Sequence, residues 1–214
     1  MLLFIMNSCV KRNKPLVHRW EGKRMSIVPA FELGLWNAWI FILPVIIILY
    51  LILPKIFGKR GSGEDLGLIK KEKILSIMYL SIVFASYAYA IFLPLKLGTI
   101  WFYSCLLVYL LGMLTEILAT LSFNTTPVEK PVTKGVYSIS RNPQYVGDFF
   151  INISIGIACL SWIFLLVAIV NLFLLRSFVA TEEHFLMDKY GNAYREYMNR
   201  TPRWIGIPKS EKSE

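Results

Sequence analysis

Residues 145–180 read YVGDFFINISIGIACLSWIFLLVAIVNLFLLRSFVA, one mostly apolar stretch with a soft break at Cys159–Trp162. As a single helix rising about 1.5 Å per residue it would reach some 54 Å, far beyond a hydrocarbon core of about 30 Å. Two antiparallel helices fit better: Tyr145 to Leu160, then Trp162 to about Ala180, with a tight turn at Ser161. This hairpin decides the fold. It brings SRNPQYVG (140–147) and TEEHF (181–185) to the same membrane face, although a membrane's thickness of chain leaves and returns between them.

Working outward, three more apolar runs precede the hairpin. They extend from about Leu35 to Leu53, with a kink at Pro44 and a stop at Pro54, from Ile74 to Leu95, and from Thr99 to Phe123. The links are PKIFGKRGSGEDLGLIKKEK (54–73), PLKLG (94–98) and NTTPVEKPVTKGVYSISRN (124–142). Composition agrees. The chain is 56% hydrophobic and 17% charged, where a soluble domain carries about 25% charged residues. The mean hydropathy is +0.54. The fold expected is all-α: a polytopic membrane protein of about five transmembrane helices, ending in the hairpin and a cytoplasmic tail.

The formal charge of +9 orients the chain. Lys55, Lys59, Arg60, Lys70, Lys71 and Lys73 lie in the first link. Lys130, Lys134 and Arg141 lie in the third, and Lys189, Arg195, Arg200, Arg203, Lys209 and Lys212 in the tail. The positive-inside rule makes these segments cytoplasmic. Trp36, Trp39, Trp101 and Trp162 then share the outer interface. Residues 1–24 are also basic and conflict with this orientation; Met25 begins MSIVPAFELGLWNAWI, which reads as a natural start. Residues 1–24 are thus expected to be a non-native or upstream-start extension; the alternatives are a real extension that folds back, or a topology other than five spans. Residues 25–123 form three N-terminal helices, 124–206 the hairpin region that would bind a ligand, and 207–214 a polar tail.

The charge surplus points to anionic lipid, since no basic-aromatic nucleic-acid module is legible. Cys9, Cys105 and Cys159 are scattered, and His18 and His184 lie far apart. The adjacent Glu182, Glu183 and His184 cannot all face one ion on a helix, so no metal is expected.

Two readings compete for SRNPQYVG. Asn142 is a good N-cap, and Pro143 suits the first helical position. A helix start beside the planar cation of Arg141 attracts an anion, and Gly147 lets another group approach closely. The plainer reading is a helix entrance with Arg141 snorkelling to lipid phosphate. Glu182 and Glu183 point about 100° apart on a helix, so one can face inward and the other water. Tyr190, Tyr194 and Tyr197 share a helical face that either packs or walls a ligand. Glu116, inside the third span, is a functional candidate or a snorkelling partner of Arg141. Asn152 and Asn171 can hydrogen-bond across the hairpin.

GVYSISRNPQYVG (135–147), an apolar hairpin, and TEEHFLMDKYGNAYREYMNRTPRWI (181–205) together resemble the isoprenylcysteine carboxyl methyltransferase and phospholipid methyltransferase superfamily. The resemblance covers residues 130–206. It implies S-adenosylmethionine as cofactor, bound at the cytoplasmic end of the hairpin, and methyl transfer to a lipophilic acceptor from the bilayer. That acceptor would offer the carboxylate of a prenylated compound or a lipid head-group amine. Cofactor contacts fall on Tyr137, Arg141, Asn142, Pro143, Tyr145, Gly147, Glu182, Glu183, Tyr194 and Tyr197. Arg141, Glu182 and Glu116 are the residues expected to act in the transfer, and Arg176 to meet the acceptor. The sequence departs from carboxyl methyltransferases at Asn142, where they usually carry His. Rival classes are a membrane sterol or steroid reductase using NADPH, and a non-enzymatic scaffold or transporter.

Overall fold

The structure, a computed structural model, describes residues 34–57 and 70–207. The expected extension (1–24), its cysteine Cys9 and most of the polar tail lie outside the described residues. The described chain is helical, and its one extended pairing is an isolated bridge between Asn37 and Pro94.

The first apolar run is one bent rod. Helix α1 (Trp39–Val45) passes into a π-helical stretch (Ile46–Ile52) and then α2 (Leu53–Phe57). Pro44 lies inside α1, where it cannot donate to the helical ladder, and the wider register follows directly after it. Nearby, the Tyr109 hydroxyl donates to the Phe41 carbonyl (2.7 Å). Pro54 does not end this rod: the helix continues through it to Phe57, since proline is tolerated near a helix start.

Three helices are long and apolar enough to cross a membrane among the described residues: Lys73–Ala90 within α3 (Lys70–Ala90), α4 (Ile100–Thr125) and α6 (Trp162–Tyr190). The hairpin's first arm, α5 (Pro143–Ala158), has 16 residues and spans about 24 Å, short of a full crossing. Apolar side chains on the outer faces are left exposed, including Leu107, Leu111 and Leu114 on α4 and Leu166 and Phe173 on α6. Such surface is stable against lipid and costly against water.

The hairpin turns where the sequence places it. Leu160 takes a positive φ, the Ser161 N–H donates to the Gly156 carbonyl, and the Ser161 hydroxyl caps α6 by accepting from the Phe164 N–H. Thr99 caps α4 in the same way on Phe102. This end of the bundle is tied by backbone hydrogen bonds, Ala38 to Leu93, Leu95 to Trp36 and Lys96 to Ala158. Trp36, Trp101 and Trp162 are all exposed there, as an interfacial belt requires.

The closest helix crossing is between α4 and α5. A Cβ at Gly147 would lie 2.7 Å from Glu116 Cγ and 2.8 Å from the Gly112 carbonyl oxygen; one at Gly112 would lie 2.9 Å from the Gly147 oxygen. Two glycines facing each other let the backbones touch, which is how helices gain dispersion energy in lipid. Gly147 therefore serves packing. It sets the height of α5, and so of Arg141 and Tyr145 at its start.

Two boundaries differ from the expected ones. Helix α3 stops at Ala90, because the chain must turn at 91–95 to pair Asn37 with Pro94. Helix α6 does not stop near Ala180. It runs unbroken to Tyr190 and ends at Gly191, which has φ +56°.

Candidate active site

At the opposite end from the tryptophans, the chain after α4 forms a loop and a short 3-10 helix (Gly135–Ser138) that carries Tyr137 inward. Arg141 and Asn142 follow, then α5. The end of α6 and helix α7 (Asn192–Arg200) close over them. The hairpin brings the two distant polar clusters into contact: the Asn142 amide donates to Glu183 Oε1 (3.3 Å), and the Tyr145 hydroxyl donates to Glu182 Oε2 (2.8 Å).

Glu183 is the hub. Its side chain is 4% exposed. Oε1 faces Arg141 Nη2 at 3.4 Å, while Oε2 accepts from Arg203 Nε (3.0 Å) and Nη2 (2.6 Å). A buried carboxylate flanked by two guanidinium groups and an amide is fully compensated. The Arg203 segment straps the site. The Arg141 N–H donates to the Pro202 carbonyl (3.0 Å), and the Asn142 amide to the Arg203 carbonyl (3.1 Å).

A cavity of about 300 Å³ opens beside this hub. Tyr137, Arg141, Asn142, Tyr145, Glu182, Tyr194 and Tyr197 all line it, and so do Lys189 and Tyr190. Arg141 Nε is buried and has no hydrogen-bond partner among the described residues. The Tyr194 and Tyr197 phenols are pushed up in pKa by burial, with Glu183 adding to the effect at Tyr194 and Tyr194 adding to it at Tyr197. Both therefore stay neutral at ordinary pH. The Tyr197 hydroxyl donates to the Tyr137 carbonyl (2.7 Å), which locks this aromatic wall.

A second cavity, of about 630 Å³, is apolar. Phe149, Phe150, Leu172, Phe173, Trp204 and Ile205 line it, with Arg176 the cation among its lining residues. Tyr145 lines both cavities.

Several expected roles change. Asn142 makes no side-chain cap to α5; its NH2 group instead donates to Glu183 and to the Arg203 carbonyl. Tyr190 lies on α6 and Tyr194 and Tyr197 on α7, so they share a cluster but not a helical face. Arg141 pairs with Glu183 rather than Glu116; Glu116 is buried against Gly147 at the α4–α5 crossing and lines neither large cavity. Pro143, Gly147 and Glu183 likewise lie behind the cavity wall and hold it in place. Asn152 bonds to Asp148 on its own helix rather than across the hairpin. His184 is exposed, and no group of residues suited to a metal occurs among the described residues.

Arg203 and Trp204 are the site residues that sequence reasoning missed. The available signal was an Arg beside Pro202 in a short tail, with an acidic pair upstream in need of cations.

The described chain is that of an all-helical membrane protein, with a polar, aromatic cavity at one end of an apolar helix bundle. The phospholipid methyltransferase family model matches residues 97–193. The matched span is similar to that family and overlaps the motifs that carry the resemblance read from the sequence. The match takes in α4, where the sequence alone offers no specific signal, and stops just before Tyr194. No curated protein matches the chain.

Proposed function

We propose that the protein transfers a methyl group from S-adenosylmethionine to a lipophilic acceptor that enters from the bilayer. The carrying observation is the cavity of about 300 Å³ in which Arg141, with its buried unpaired Nε, faces Glu182 and a wall of tyrosines. This donor set fits an amino-acid zwitterion joined to a nucleoside. Arg141 holds the carboxylate, Glu182 takes an ammonium or ribose hydroxyl, and the tyrosine rings flank the adenine and the sulfonium. A cation over such a ring gains about 0.5–2 kcal/mol. When bound, the cofactor supplies an electrophilic methyl carbon. Cavities of roughly 300–1,000 Å³ hold ligands of this class.

The apolar cavity beyond Tyr145 suits the acceptor's chain, and Arg176 suits an anionic group such as a carboxylate or phosphate. The protein's task is alignment: it holds acceptor and methyl in line and keeps water out. Glu116, behind Gly147, supports the floor of the site. The basic loops support a cytoplasmic side for the cofactor cavity and the C-terminus.

The test is ligand-induced stabilisation of the purified protein. At one hundred times its dissociation constant, S-adenosylhomocysteine should stabilise the fold by about 2.7 kcal/mol, and NADPH should not. Stabilisation by NADPH alone would favour a reductase; response to neither would favour a scaffold.

A further inference from the structure

Tyr145 stands where three cavities meet. It lines the cofactor cavity, the apolar cavity, and a small one of about 10 Å³ shared with Asp148, Asn152 and Asn171 among others. Its hydroxyl donates to Glu182 Oε2 at 2.8 Å, and Glu182 opens into the cofactor cavity. The ring is held edge-on by Phe178 with centroids 6.1 Å apart. Among the described residues that line the apolar cavity none is a carboxylate, and Tyr145 is the one that carries a hydroxyl.

We infer that Tyr145 and Glu182 form a proton relay in the wall between the two large cavities, which serves an acceptor that must lose a proton to attack. This rests on the methyltransferase reading. For an ammonium acceptor, one N–H bond breaks and its proton passes to the phenol oxygen, while the phenol proton passes to the Glu182 carboxylate. Nitrogen keeps the freed electron pair. It uses that pair to bond the methyl carbon, whose former bonding pair stays with the departing sulfur as a neutral thioether. Glu182 returns its proton to water through the cofactor cavity. Arg176 lines the same apolar cavity, and a nearby like charge favours the neutral amine that attacks. A carboxylate acceptor has no proton to give and leaves the relay idle.

The experiment compares Tyr145→Phe and Glu182→Gln with the unmodified full-length protein. It reads S-adenosylhomocysteine stabilisation and labelled methyl transfer into host lipid extract across pH. Tyr145→Phe keeps the ring and removes the hydroxyl. The expected result is retained ligand stabilisation with transfer reduced about 10²–10⁴-fold at neutral pH. The deficit shrinks as rising pH deprotonates the acceptor in bulk water; Glu182→Gln, which also loses a cofactor contact, shows that pH-dependent deficit on top of weaker ligand stabilisation. A Tyr145→Phe rate close to that of the unmodified protein overturns the relay. So does loss of ligand stabilisation in parallel with rate, which makes Tyr145 only a wall of the cofactor cavity. A labelled carboxyl ester as product overturns the relay and leaves the methyltransferase standing. An unmodified protein that transfers no methyl group overturns both.

Discussion

Glu183→Ala lowers the folding stability by about 3–5 kcal/mol, the cost of removing one partner from a buried ion pair. The side chain is almost wholly enclosed, and its two oxygens pair with Arg141 on one side and Arg203 on the other. Without it, Arg141, whose side chain is 9% exposed, is left with an uncompensated charge facing a second guanidinium. The Asn142 amide loses a partner as well. The strap at Pro202–Trp204 then loses its main charged tether to the bundle, and with it the wall that Trp204 gives the apolar cavity. Glu183→Gln keeps the shape and loses the charge, so its effect falls between. Chemical unfolding in detergent measures both. A loss below about 1 kcal/mol, the range of an exposed pair, would show that Glu183 is not the hub assigned to it.

Arg141→Ala has the largest expected effect on ligand binding. A hydrogen bond to a charged group contributes about 1.5–3 kcal/mol, so S-adenosylhomocysteine affinity should fall about 10- to 100-fold. Stability should fall less than in Glu183→Ala, because Glu183 keeps two bonds from Arg203. Arg141→Lys retains the charge but not the planar fork, and should recover only part of the affinity. Calorimetric titration of the detergent-solubilised protein checks this. Unchanged affinity would move the ligand carboxylate away from Arg141.

The hairpin was legible because length alone rules out a single helix for residues 145–180, and a Ser–Trp pair marks the turn. The meeting of Arg141 and Asn142 with the Glu pair follows from that hairpin, and the structure bears it out. The continuation of α6 was not legible. A membrane boundary is not a helix boundary: Thr181 to Tyr190 holds Glu, Leu, Met and Lys, which sustain a helix in water as Leu does in lipid. Gly191 was the real stop signal. The change in role of Asn142 was hidden for a different reason. Local spacing makes it a cap, but a carboxylate from α6 and a carbonyl from the tail compete for its amide, and tertiary contacts are not written in local spacing. Gly147 shows the same limit. A glycine after Tyr145 signals close approach, but only the structure identifies the approaching partner as α4.

The proposed activity, methyl transfer to a membrane lipid, is open to direct measurement. The most direct measurement incubates the purified protein with methyl-labelled S-adenosylmethionine and a lipid extract of its host, then separates and identifies the labelled lipid. The account predicts label in one lipophilic product, absent when Arg141 is replaced by Ala. Label confined to water-soluble material, or an equal yield from the Arg141→Ala protein, would contradict it.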